Sequence, residues 1–256
     1  MKLHLDQHKL QRLLDRPRPE TAVDRLYREG SVFFVGGALP VYQTLETMLA
    51  SFCLAATGLF HVSFAGGDGF RQGEELARQL KKNFSVRLLG RLAGPLPAEA
   101  GLRAYAAGVD LLDIPSGAAD TEPAVWEALL TAREVFPRWG VASTLRGGAP
   151  PATTRRAIDR LLAGGIVPLL TLDAAPPAEL ALLFRHLLTG WERHGVALPP
   201  YLPLLDLTTP LVAAAPAGRW RGLLERLRDR QLLAAADWRR RLRVSGGDAS
   251  FDSAGL

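Results

Sequence analysis

The stretch LFHVSFAGGDGF, residues 59–70, sets a histidine and a serine inside an apolar run and then closes that run with Gly66, Gly67 and Asp68. Two adjacent glycines let a backbone approach a ligand closely. A carboxylate beside them suits a cationic group such as an amine, whereas a phosphate would want a base there. Similar chemistry recurs after other short apolar runs: Arg91; Asp113 with Ser116 and Gly117; Thr144 with Arg146 and Gly147; Thr171 with Asp173. Gly36 and Gly37 read equally as turn residues or as a close-approach site. Arg146, beside Gly147 and Gly148, suits a carboxylate or phosphate, or a surface salt bridge. Asp110 and Asp113 are both candidates to face inward. His61 reads as a buried, hydrogen-bonded histidine, and Cys53, among Met48, Leu49, Phe52 and Leu54, as a core thiol.

Several chemistries lack their residues. The four lysines are Lys2, Lys9, Lys81 and Lys82, none at a strand end where a Schiff base would form. No HExxH, CxxC or paired-histidine spacing suggests a metal site, and neither a P-loop nor GxSxG is present. A single cysteine rules out a disulfide framework and fits a reducing compartment, so a cytoplasmic location is expected. No apolar run reaches the roughly 18–20 residues of a membrane span, and the charged opening MKLHLDQHKLQRLLDR has no secretory h-region.

The elements that must position these residues alternate along the 256-residue chain. The first 29 residues read as a helical lead-in, broken at 16–20 and resumed over 21–29. Strands are expected at 31–37, 59–67, 85–92, 109–117, 140–148 and 166–174, with helices between them, Thr153 or Thr154 capping the one over 152–165. A further strand is expected at 201–209. Such βα units build parallel sheets with right-handed crossovers, and ligands collect beyond the carboxyl ends of the strands. Eight units would need about 250 residues, so the expectation is an α/β fold, a partial (βα)6-type TIM barrel spanning 1–210. The remainder, 211–256, is expected to hold an arginine-rich amphipathic helix. Residues 217–243 carry nine arginines against three acids, while the formal charge of the whole chain is only +5. Trp220 and Trp238 suit a core-facing stripe, so an acidic protein partner or solvent fits this helix better than nucleic acid.

From about residue 58 the order of motifs resembles the radical S-adenosylmethionine (radical SAM) superfamily, especially its biotin-synthase-like members. The parallels are HVSFAGGD (61–68), LRAYAAGVDLLDIPSG (102–117) and ALLTAREVFPRWGVASTLRGGAPPATTRRAIDRLLAGGIVPLLTL (128–172). They cover about 140 residues well and 175 loosely. The resemblance implies that Gly66, Gly67 and Asp68 stand where the family's GGE-like turn holds the methionyl amino group of SAM. It places Ser116 near the ribose, and the backbones of Leu145–Arg146 and of Ile166–Pro168, with Val167 at their centre, near the adenine. Asp68 is one carbon shorter than the usual glutamate, and Ala149 and Pro150 stand where an acid often follows the fifth strand.

The family's CxxxCxxC, which holds a [4Fe–4S] cluster, is absent: the corresponding stretch is GGALPVYQTLETMLASFC. The chain cannot assemble that cluster from its own residues. The expectation is therefore a degenerate member, a pseudoenzyme without radical chemistry that serves as partner or accessory subunit of a cluster-bearing radical SAM enzyme. The competing expectation is a non-radical enzyme, or a binder of SAM or small carboxylates, with Asp68, Asp113, Arg146 and His61 lining the pocket.

Overall fold

The computed structural model describes residues 3–16, 22–67, 69–92, 99–117, 123–146, 149–173 and 175–213. Asp68, Gly147 and the expected arginine-rich helix lie outside them. In chain order the first half runs β1 (Leu3–Leu5), α1 (Gln7–Leu14), β2 (Leu26–Glu29), β3 (Val32–Gly36), α2 (Val41–Leu54), β4 (Leu59–Phe64), α3 (Gly69–Asn83) and β5 (Arg87–Leu92). The second half runs α4 (Ala100–Ala106), β6 (Leu111–Asp113), β7 (Ser116–Gly117), α5 (Pro123–Val135), β8 (Val141–Arg146), α6 (Pro151–Ala163), β9 (Val167–Leu170), α7 (Pro177–His194), α8 (Leu202–Thr208) and β10 (Leu211–Ala213).

The result is an α/β architecture around a mostly parallel sheet. From β3 through β4, β5, β6 and β8 to β9, strands pair in parallel and in chain order, β7 lying against β8. Every residue of β3 and β4 is buried, as expected of parallel strands covered on both faces. Sequential order with right-handed crossovers sends the connecting helices to one face. Helix α3 turns Phe70, Gly73, Leu76, Ala77 and Leu80 to the core, a helical repeat of small and large apolar groups.

The expected N-terminal helical lead-in is corrected in two places. Residues 3–5 are a strand that pairs antiparallel with β10; Asp6 then caps α1 by accepting from the Lys9 N–H at 3.0 Å. Residues 26–29, expected as helix, are a strand antiparallel to β3. Gly30, at φ +55°, makes the tight hairpin turn, and Tyr27 stacks on Phe34 across it at 4.7 Å. The free edge of β3 rewards a strand more than an isolated short helix would be rewarded.

Residues 201–209, expected as a strand, are a 3-10 turn followed by α8. A short apolar run is ambiguous between strand and buried helix. Here Thr208 and Thr209 donate their hydroxyls back to the carbonyls of Leu204 and Leu205, closing the last turn. The expected fourth strand divides into β6 and β7 around Ile114 and Pro115, and Pro115 has no N–H for the ladder. Helix α6 starts from Pro150, not from a threonine cap. Just beyond residue 210, Leu211–Ala213 form β10 and pair with β1. Cys53 is exposed rather than in the core: α2 is apolar on several sides, and it buries Thr44 and Met48 instead.

Candidate binding site

The register of the parallel ladder decides which side chains share a face. Phe34, His61, Leu89 and Leu111 form one row. Gly36, Ser63, Arg91, Asp113, Ala142 and Val167 form the next, towards the carboxyl ends of the strands. Thr144 and Leu169 stand beside each other one step further. Helices α1 and α8 cover this face and enclose a cavity of about 170 Å³, with Arg16 and Glu29 among its lining.

At the centre of the polar row is Asp113, 1% exposed. Its Oδ1 accepts the Thr144 N–H at 2.8 Å, and its Oδ2 accepts the Thr144 hydroxyl at 2.8 Å and Arg91 Nη1 at 3.1 Å. Burial pushes its pKa up, while the Arg91 charge foremost, then the Thr144 hydrogen bonds and Arg146, pull it back. Among the described residues, that bond to Asp113 is the one hydrogen bond the Arg91 side chain makes. His61 is 1% exposed and lies against the Phe34 ring at 5.2 Å between centroids. Its Nδ1 is buried with no hydrogen-bond partner, so the expectation of a satisfied core histidine is half corrected. Burial, then the charge of Arg91, hold its pKa down to about 3, so the ring is neutral at pH 7.

The other expected site residues fall into separate places. Gly66 and Gly67 sit exposed between β4 and α3, Gly67 at φ +57° with open space where a side chain would be. Ser116 is buried and its hydroxyl lies 2.8 Å from that of Ser143, which donates to the Ile114 carbonyl. That chain ties β7 to β8 and leaves Ser116 little capacity for a ligand. Leu145 is buried and Arg146 exposed at the end of β8. Val167 opens β9 opposite Ala142, whereas Leu145 pairs with Leu170 three rungs further along, roughly 10 Å at strand rise. The structure brings together Arg91, Asp113, Thr144 and Thr171 from the sequence candidates, and His61 joins them.

Gly36 and Gly37 are packing positions: a Cβ on Gly36 would overlap the Val23 carbonyl, and one on Gly37 would stand 2.8 Å from the Ser63 carbonyl oxygen. Asp110 points away from the cavity chemistry; it accepts Lys81 Nζ at 2.8 Å and the Leu88 N–H at 2.9 Å. Sequence reasoning missed Leu204, Leu205, Thr208 and Thr209 of the α8 segment as a wall of the site. The helix-like spacing of Leu204, Leu207 and Thr208 was the signal that could have found them.

The donor set does not fit an iron–sulfur cluster. The connection after β3 runs from Gly37 to Pro40 directly into α2, tied by Gly37 N–H to Ser63 O, Ala38 N–H to Val23 O and Leu39 N–H to Gly36 O. Gln72 Nε2 donates to the carbonyls of Ala38 and Leu39. No thiolate stands there, and Cys53 lies near the far end of α2. Among the described residues no group of three His, Cys, Asp or Glu is placed to hold a metal ion. No described helix is long and apolar enough to cross a membrane.

No family model matches the chain, and neither a curated protein nor a solved structure matches it.

Proposed function

We propose that this chain is a cluster-free, radical-SAM-like partial barrel that works as the partner or accessory subunit of a cluster-bearing radical SAM enzyme. The observation that carries the reading is the closed connection after β3. Where the family's cluster loop would stand, four residues are pinned by backbone and glutamine hydrogen bonds, and no sulfur ligand is available. The sequential parallel strand order supports the partial-barrel reading. In this reading Gly66, Gly67 and Asp68 are the remnant of a SAM-anchoring turn. The arginine-rich segment at 217–243 supplies a charged surface for an acidic partner.

The test is anoxic purification of the chain from its native cell, with iron analysis and identification of the stoichiometric partner. The expected result is a complex in which the iron belongs to a CxxxCxxC-bearing protein and the separated chain holds none. About four irons per isolated chain after reconstitution with iron and sulfide would overturn the reading, as would a chain that purifies only alone. Titration with SAM decides separately whether the AGGD turn still binds.

A further inference from the structure

The cavity between the sheet and α8 contains an imbalance of hydrogen-bonding capacity that its walls do not resolve. Each threonine hydroxyl around it already donates within the protein: Thr144 to Asp113, Thr171 to the Leu145 carbonyl, Thr208 to that of Leu204 and Thr209 to that of Leu205. Both oxygens of Asp113 are likewise occupied. Two groups are not. The Arg91 side chain, only 14% exposed, uses Nη1 on Asp113 and makes no other hydrogen bond among the described residues. His61 keeps a buried, unpartnered Nδ1. A guanidinium carries five N–H donors in a planar fork matched to carboxylate oxygens, so most of this one's capacity is unspent.

Apart from Arg16 and Glu29, the rest of the wall is apolar, chiefly Leu13, Leu169, Leu172, Leu204, Leu205 and Leu207. A cavity of about 170 Å³ has room for a body of benzene size or somewhat larger. We propose that this cavity is a binding site for a small organic monocarboxylate with an apolar body, its carboxylate held by the free edge of the Arg91 guanidinium beside the His61 ring, and its body packed among these leucines. His61, neutral, adds no charge beside the carboxylate. Charge selection therefore falls to Arg91, with the exposed Arg16 adding to it and Glu29 opposing it, and a neutral ligand of the same shape gains the apolar contact alone. The inference is independent of the partner-subunit reading, since it uses none of the AGGD turn, the connection after β3 or the arginine-rich segment.

The experiment is calorimetric titration of the full chain with octanoate, with 1-octanol as the uncharged control and SAM as a separate arm. Octanoate is expected to bind saturably with a Kd below about 1 mM, within what ten non-hydrogen atoms can supply, and octanol at least tenfold more weakly. Arg91→Lys keeps the charge opposite Asp113 but loses the fork, and Leu204→Phe narrows the apolar end without touching charge. Each is expected to weaken octanoate at least tenfold while the far-ultraviolet spectrum stays native. If either variant fails to fold, the His61 ring-nitrogen NMR signals of the unaltered chain decide instead: they are expected to shift and saturate with octanoate. Absence of saturable binding, equal affinity for octanol, unchanged affinity in both folded variants, or His61 signals unmoved at saturation would each overturn the proposal. The SAM arm reports on the AGGD turn alone, so its outcome leaves the carboxylate site and its test distinct.

Discussion

Asp113 and His61 carry the sharpest residue-scale consequences. Asp113 is the one ion-pair partner of the part-buried Arg91 among the described residues, so Asp113→Ala leaves the Arg91 charge uncompensated as well as removing two bonds from Thr144. The expected loss is about 3–5 kcal/mol of unfolding free energy, read by urea denaturation. A loss under 1 kcal/mol would mean that the network does not support the fold. His61 gives a pH signature. Its pKa falls from 6.5 in the free side chain to about 3 in the folded protein. The unfolded chain therefore takes up this proton first, and the stability His61 confers is present above pH 6.5 and lost as pH falls towards 3. The loss across that window is on the order of 5 kcal/mol. Asp113, with a raised pKa, acts in the opposite sense, so the comparison is with His61→Phe at matched pH. That variant is expected to equal or exceed the parent at pH 7, because an unsatisfied buried nitrogen disappears, and to show a flatter acid limb. Identical acid limbs would contradict a neutral buried His61.

At the scale of elements, the two glycine classes at strand ends separate by what surrounds them. At Gly36 a methyl group meets the backbone of Val23 and Asp24, which cannot swing aside as a side chain could. Gly36→Ala is expected to cost about 3 kcal/mol, through separation of the segment leading into β2 from the end of β3. At Gly117 nothing lies within 4 Å, and Gly117→Ala is expected to change stability by no more than about 0.5 kcal/mol. Equal losses in the two, by thermal or chemical denaturation, would refute this reading of the strand ends. The sequence showed glycines at both places but not their neighbours. The strands and helices from 31 to 195 were legible because burial imposes long apolar runs and helical repeats on each. The hairpin at 26–35 was not, because Leu26 and Tyr27 become strand only once the edge of β3 exists to pair with.

Across the whole molecule, one lysine joins segments far apart in the chain. Lys9 Nζ, on α1, donates to Asp206 of α8 at 2.9 Å and to the Leu211 carbonyl of β10 at 3.1 Å, with its side chain 12% exposed. It therefore holds the cover of the cavity to the β1–β10 ribbon. Lys9→Met keeps the stem and removes both bonds, and an expected loss of about 1–2 kcal/mol corresponds to a fall of roughly 3–6 °C in the melting midpoint. Hydrogen exchange in α8 is expected to accelerate in the same variant. An unchanged midpoint together with unchanged exchange would mean that the cover is held by its leucines alone. Tyr201 anchors the other end: it is fully buried and donates to the Trp139 carbonyl at 2.9 Å, where β8 begins. Burial raises its hydroxyl pKa, which keeps that donor protonated.

The sequence by itself determined the α/β class, the alternation of strand and helix, the candidate polar residues at strand ends and the lack of thiolates for a cluster. These are properties of local pattern and composition, written in each segment without reference to any other. Only the tertiary structure decided that Arg91, Asp113 and Thr144 form one network, that Ser116 is spent on Ser143, and that His61 is left unsatisfied beside a cavity. Strand register aligns residues from six separate segments on one face, and a shift of a single residue would turn each to the other side. The helical cover over that face came last, because an apolar run such as 202–208 takes its form from the surface it is buried against.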